Sequence, residues 1–336
     1  MAAQVKGCHL VGSVPLPDAE TVFRQCTAGH PDRLKHLPDG EPGFLNLFTT
    51  FQSLLFQASP DLCTKFKYNV PVANGEFTEQ QIEDAVEKLK QNGPLETHYD
   101  TNAIESYGTF RKLKDEGERN KVPGSKVEPT YQDALYCAIR NMQDSIPHGE
   151  LAIQIDLAVD TAFYEGVLYK PWFGDGNIEK IREFTVDYIV RMVSQVDEDV
   201  EVGLHNCYGD MDHRHWMEPK SLAVVTERGL RVFEKSPRSI NFFHCPVPKS
   251  AGDHLEAYLE PLKELLPKFK EHGTDLYLGV VHYDDSAATQ KMIKAAQKVL
   301  RDFPFGVGTE CGWGRTPPEQ VEGIMKISTE VSEPVL

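Results

Sequence analysis

A single-domain (β/α)8 barrel is the fold this sequence predicts, on three observations. Its second half alternates short β-rich runs with longer helical patterns, which is the signature of parallel β/α units. Those runs are nearly continuous in apolar and β-branched residues, as strands are when a helix layer and a barrel interior bury both faces. The 336 residues suffice for one large barrel, and no linker rich in Gly, Pro or Ser and no internal repeat divides them.

The strands are expected, in order, at Cys8 to Val14, Leu34 to Leu37, Leu151 to Leu157, Val200 to His205, Ser239 to His244, Asp275 to His282 and Phe305 to Cys311. An eighth falls in an irregular insertion around residues 60–128, where the pattern is hard to place. Helices are expected around Ala19 to Cys26 and Phe44 to Ala58. Further along, apolar stripes at helical spacing run from Ile178 to Val196, Leu255 to Phe269 and Met292 to Leu300. Pro261 and Pro267 should split the second stripe, because proline removes a helix hydrogen bond and clashes with the preceding turn. A last helix, Pro317 to Ser328, is expected with Thr316 as N-cap and Pro317 in its first turn. All of these stripes read as outer helices packing on the sheet, with no function of their own.

Composition bounds the function. Forty per cent hydrophobic and 26% charged residues suit a soluble protein with a real core, and no apolar run approaches the ~18 residues a membrane helix needs. The 51 acidic against 35 basic residues, a net charge of −16, argue against nucleic acid or an anionic membrane as partner, since phosphate binding needs clustered Lys and Arg. Seven scattered cysteines and no signal-like start suit a reducing compartment, so a cytoplasmic protein is expected. Neither a phosphate-binding loop nor a nucleophile elbow is present, and Gly306-Val307-Gly308 lacks the rest of a dinucleotide fingerprint.

In such a barrel the chemistry sits at the C-terminal ends of the strands. Strand by strand these carry Asp156, His205 with Cys207, His244 with Cys245, His282 with Asp284 and Asp285, and Glu310 with Cys311. Imidazoles and thiolates converging on one rim are what Zn²⁺ selects. The spacing of His205-Asn206-Cys207 is not informative alone and also reads as a buried His beside a buried Cys. A barrel, however, brings strand ends within ligand distance though they lie about a hundred residues apart.

The segments CHLVGS at 8–13, DGE at 39–41, IQID at 153–156, LHNCYGD at 204–210 and ECGWGR at 310–315 stand in this order. Together they resemble the C-terminal catalytic barrel of the cobalamin-independent methionine synthases, in the superfamily shared with uroporphyrinogen decarboxylase, from about residue 8 to residue 330. The resemblance implies a zinc ion held by His205, Cys207 and Cys311. It further implies an amino-acid substrate lying on the Val11-Gly12-Ser13 backbone, its amino group held by Glu41 and Asp156. There are two departures. Where the family has a glutamate as fourth ligand this chain has Phe243-His244-Cys245, so either His244 takes that place or the metal keeps an open position. Where the family's DGE is followed by an arginine, this chain has Phe44.

Two cysteinates and a neutral histidine would leave Zn²⁺ formally neutral, so that a substrate thiol in the open position loses its proton near pH 7 and stays nucleophilic. The reaction expected is transfer of a methyl or alkyl group from a donor to that thiol. Acid assistance falls to His282, Asp284 or Asp285, which also read as the start of a loop before the Ser286 helix. Asp39, Glu41, Asp156, Ser13, Trp313 and Arg315 are the candidate substrate contacts; Trp313 reads equally as packing, and Asp160 as a loop or cap residue. The cluster Asp210, Asp212, His213, Arg214, His215 and Trp216 reads as a lid or as a solvated loop. The runner-up is a zinc-free lyase or decarboxylase of the same superfamily using Asp39 and Asp156, and a third reading is a noncatalytic binding barrel.

Overall fold

The computed structural model describes residues 2–43, 66–67, 70–71, 99–101, 103–104, 128–167, 171, 173–209 and 215–335. Eight strands are found there: β1 (Val5–Cys8), β2 (Phe66–Lys67), β3 (Val70–Pro71), β4 (Ala152–Leu157), β5 (Glu201–Asn206), β6 (Phe242–Pro246), β7 (Asp275–Gly279) and β8 (Phe305–Val307). Six of them form one all-parallel sheet in the order β1-β8-β7-β6-β5-β4, while β2 and β3 pair only with each other, antiparallel. The expected closed ring of eight is therefore not seen among the described residues. The expected Phe44 to Ala58 helix, Phe44 itself and most of the irregular insertion lie outside them.

The six-stranded sheet is nevertheless strongly curled. Laid flat at roughly 4.8 Å per strand, its edges would stand about 24 Å apart. Instead Gln154 on edge strand β4 donates to Val11 O at 2.6 Å, and its Oε1 lies 3.0 Å from Nε2 of His9, which follows edge strand β1. The register places Asp156, His205, His244, Tyr277 and Gly306 side by side across β4 to β8, all on the concave face. Two glycines make room for aromatic rings there: a Cβ at Gly203 would lie 2.1 Å from the Phe242 ring, and one at Gly306 2.5 Å from the Tyr277 ring. Because this face carries polar groups, β4 alternates buried Ile153, Ile155 and Leu157 with half-buried Gln154 and Asp156, rather than reading apolar on both sides as expected.

The opposite, convex face packs on the helices, and the apolar core lies between the two. The helices are α1 (Ala19–Gly29), α2 (Glu128–Ser145), α3 (Val159–Glu165), α4 (Ile178–Val193), α5 (Ala223–Lys235), α6 (Leu255–Leu259), α7 (Leu266–His272), α8 (Ser286–Leu300) and α9 (Val321–Val331). Three begin at an acceptor side chain: Asp18 takes Thr21 N–H, Asn177 takes Glu179 and Lys180 N–H, and Asp285 takes Ala288 N–H. Their inward stripes are mostly apolar, with Thr185 and Thr289 buried among them; Val186, Ile189 and Val193 of α4 are all 0% exposed, and burying such a side chain contributes roughly 1.5–3 kcal/mol. Pro261 and Pro267 do split the second stripe, with a 3-10 turn at Glu260–Glu264 between α6 and α7. The chain ends meet where α1 packs on α9, with Thr329 Oγ1 donating to Gly29 O at 2.8 Å.

Three boundaries differ from expectation. Strand β1 lies earlier than Cys8 to Val14 because the ladder with β8 runs from Val5 to Cys8, after which the chain turns to brace a neighbouring loop. The Leu34 to Leu37 strand reduces to one bridge, Leu34 to Cys8. Next to it Lys35 and His36 pair with Asp275 and Glu201, and Pro38 has no N–H to offer a ladder. Thr316 is not an N-cap: its N–H closes a turn onto Trp313 O, and a 3-10 turn at Pro318–Gln320 precedes α9.

Candidate metal centre

Parallel strands deliver their C-terminal ends to one rim, so the side chains just inside and beyond those ends converge. His205 is the penultimate residue of β5 and Cys207 follows that strand, its N–H extending the ladder onto Leu157 O at 3.3 Å. Cys311 lies in the loop after β8. Ligand atoms of these three residues all lie within 4.8 Å of one another, and the two sulfurs are 3.8 Å apart. Among the described residues this is the group of His, Cys, Asp or Glu side chains arranged to hold a cation.

Its electrostatics suit a metal. Contact with Cys311, the His205 ring and the Gly209 N–H, which donates to Cys207 Sγ at 3.3 Å, hold the Cys207 thiol well below its usual range against the opposing effect of burial. Burial disfavours a charge on His205, yet Cys207 and Asp156 more than offset this and raise its pKa. Among the described residues His205 Nε2 is buried without a well-formed hydrogen bond, its pKa being raised by the Cys207 side chain beside the ring. An imidazole and two sulfurs within 4.8 Å of one another are the donor types that zinc takes.

His244, expected as a possible fourth ligand, stands behind His205 instead. Its Nδ1 lies 2.8 Å from His205 Nδ1, and its Nε2 lies 3.0 Å from Thr309 O. The neighbouring Cys245 faces the helix layer, fully buried, with its thiol pKa pushed up by burial. Cys8 and Cys26 are likewise buried, and burial raises each thiol to about 11.

The loop carrying Cys311 is tied to the segment after β1. Trp313 N donates to Ser13 O at 2.5 Å and Gly314 N to Ser13 Oγ at 3.2 Å. Gly312 permits this approach, since a Cβ there would lie 2.4 Å from Ser13 Oγ. Trp313 is 3% exposed, and its indole N–H bonds Thr309 Oγ1 at 2.7 Å, so it fastens the loop. Arg315 Nη2 lies 3.9 Å from Cys311 Sγ.

Glu41 sits over Gly12 and beside Asp156, Asp39 and Arg315. Its backbone is left-handed at φ 50°, and its N–H donates to Asp39 Oδ1 at 3.1 Å. Burial first, then Asp156 and Asp39, push the Glu41 carboxyl up to about 8, against Arg315 and Ser13. Burial also raises Asp156, which accepts from Gln154 Nε2 at 2.8 Å. Burial and like charges this close favour the protonated form of these carboxyls.

A cavity of about 650 Å³ opens beside the two sulfurs, lined among others by Tyr208, His215, Lys249, His282, Glu310 and Arg315. His215 reaches Glu310 Oε2 at 3.3 Å and Glu218 Oε1 at 3.1 Å. Glu310 foremost, with Glu218, raises this imidazole to about 9 despite burial. His282 lines the cavity, its Nδ1 3.8 Å from Glu310 and its Nε2 3.1 Å from Val247 O; burial lowers its pKa. Asp284 does not face it: this residue is exposed in a turn with φ 52°. Asp285 caps α8 and pairs with Lys249 at 2.9 Å, which is the loop-start reading. Asp210, Asp212, His213 and Arg214 lie outside the described residues.

Asp160 is buried near Arg228, whose Nη2 donates to Thr161 Oγ1 at 2.9 Å and Asn206 Oδ1 at 2.7 Å. Sequence reasoning missed Arg228 and the Thr309 carbonyl. The first looks like any helix-surface arginine, and the second is a backbone atom no motif can mark.

No family model matches the chain, and no curated protein sequence matches it. Among solved structures it is similar to a B12-independent methionine synthase from Shewanella sp. W3-18-1 in complex with selenomethionine. The TM-score is 0.34 and the identity 14%, over 60% of this chain and 52% of that one, so the chain spans about half of that protein's length. Among the described residues no helix is long and apolar enough to cross a membrane.

Proposed function

We propose that this chain is a zinc-dependent transferase in which a substrate thiol accepts a methyl or other alkyl group from a small-molecule donor. The observation that supports the reading is the gathering of the His205 ring with the Cys207 and Cys311 sulfurs, their ligand atoms within 4.8 Å of one another. In this reading the chain is one (β/α)8 barrel and works in the cytoplasm. His205, Cys207 and Cys311 hold the ion. When bound, zinc supplies a Lewis acid that makes an incoming thiol acidic enough to act as a nucleophile near pH 7.

The remaining residues bind, orient and move protons. Glu41 and Asp156, with Asp39, take an ammonium group of the thiol substrate, and Arg315 offsets their charge or meets a carboxylate. In the transfer, sulfur gains the alkyl carbon, the donor loses its bond to that carbon, and the leaving group takes a proton. His215, which Glu310 and Glu218 keep charged, is the acid at the cavity wall, and His282, whose pKa burial lowers, stands beside Glu310 as a proton acceptor. Trp313 holds the Cys311 loop in place.

One observation favours the second reading, a metal-free lyase or decarboxylase: Glu41, pushed up to about 8, is a proton donor at neutral pH. Metal content separates the two. Protein purified without chelator should hold one zinc per chain and lose it in Cys207→Ser and in Cys311→Ser; wild type without metal supports the lyase.

A further inference from the structure

Resting on the zinc reading, we infer that His244 is a positioning residue that fixes the tautomer of His205, so that the lone pair of His205 Nε2 always faces the two sulfurs.

The deduction follows the protons. A carbonyl oxygen only accepts, so the 3.0 Å contact between His244 Nε2 and Thr309 O puts a hydrogen on Nε2. His244 is fully buried and its side chain meets no carboxylate, so it stays neutral and its Nδ1 is bare. The 2.8 Å contact between the two Nδ1 atoms then needs a hydrogen from the other ring, and His205 Nδ1 supplies it. A neutral imidazole holding its hydrogen on Nδ1 has its lone pair on Nε2, the atom left without a well-formed hydrogen bond among the described residues. The Thr309 carbonyl, two residues before Cys311, thus dictates which nitrogen of His205 is free to ligate.

Its support is specific. The register pairs His205 with His244 across β5 and β6, so both rings share the concave face. Asn206 Nδ2 donates to His244 O at 2.8 Å, and Arg228 in turn donates to Asn206. Thr309 is held by its own hydroxyl, which donates to Cys311 O at 2.6 Å. In metal sites the partner of the distal ring nitrogen is commonly a carboxylate or a carbonyl. Here a second imidazole relays a carbonyl's preference.

The experiment has a metal-free arm and a metal arm. Long-range ¹H–¹⁵N spectra of metal-free wild type, recorded at a pH above the titration of His205, which Cys207 and Asp156 raise, are expected to show the Nδ1–H form, and an Nε2–H form overturns the proposal. Zinc affinity is then measured by chelator competition in wild type, His244→Asn and His244→Leu. Asn keeps an acceptor for His205 Nδ1–H and should stay within about threefold of wild type; Leu offers none and should weaken binding by about 10–100-fold. Equal affinities in all three, or equal losses in both variants, overturn it. A wild type that binds no zinc sinks the transferase reading instead, and the metal-free spectra still decide the tautomer.

Discussion

Cys207 and Cys311 are 104 residues apart in the chain, and their sulfurs lie 3.8 Å apart at the rim of a parallel sheet. Like charges at that distance repel, so two thiolates coexist there only beside a cation, and without one a single proton is shared between the sulfurs. Removing either sulfur should therefore lower zinc affinity far more than it lowers stability. Cys207→Ser and Cys311→Ser are expected to melt within a few degrees of metal-free wild type while losing bound zinc. A large fall in melting temperature with zinc retained would make the pair structural.

Glu41 gives a proton-linkage prediction. Its carboxyl is raised to about 8, so it is protonated at pH 7 in the free protein and should ionise on meeting a substrate ammonium. Binding an amino-thiol to the metal-loaded chain at pH 7 should release about two protons, one from Glu41 and one from the thiol, read from calorimetry in buffers of different ionisation enthalpy. Glu41→Gln should lower that release by about one. The sign for stability is opposite to a paired carboxylate: the folded chain holds this proton more tightly than the unfolded chain between about pH 4.5 and 8, so stability falls as pH rises through that window. Glu41→Gln should accordingly melt higher than wild type at pH 8.5 and match it at pH 5.

His215 behaves in the reverse sense. Glu310 foremost, with Glu218, lifts it to about 9, so its stabilising contribution is complete below about pH 6.5 and disappears as pH rises through 9. Its ring-proton NMR titration is expected near pH 9 in wild type and should move toward pH 7 in Glu310→Gln. If His215 protonates the leaving group, turnover should decline above the same pH, and Glu310→Gln should shift that limb downward with it.

Arg228 is buried beneath the site; its Nη2 donates to both Thr161 and Asn206, while its Nε and Nη1 have no hydrogen-bond partner among the described residues. Arg228→Ala leaves Asp160 buried without its nearby cation and frees Asn206, and is expected to cost about 3–5 kcal/mol in urea unfolding. Arg228→Lys should recover much of this, because both hydrogen bonds leave the single nitrogen Nη2 and an ammonium carries three donors.

Much of this site was legible in the sequence because parallel strands impose a rule: whatever follows the strand ends meets at one rim. His205, Cys207, Cys311 and His282 were found that way, and the structure brings them to one end of the sheet. The role of His244 was not legible, because it depends on the β5 to β6 register and on a backbone carbonyl 65 residues away. Asp284 failed for a local reason: its turn takes a left-handed residue and points outward, and sequence spacing carries no such information. The strand at Leu34 was over-read because Lys35 and His36 are used in ion pairs rather than in a ladder.

The central claim is that the imidazole and two sulfurs gathered here hold a zinc ion to which a substrate sulfur adds. Zinc-edge absorption on the purified protein, before and after soaking with a small amino-thiol, tests it most directly. The account expects two sulfur neighbours at rest and three after the soak, at about 2.3 Å. A sulfur count that stays at two with the thiol demonstrably bound would contradict it.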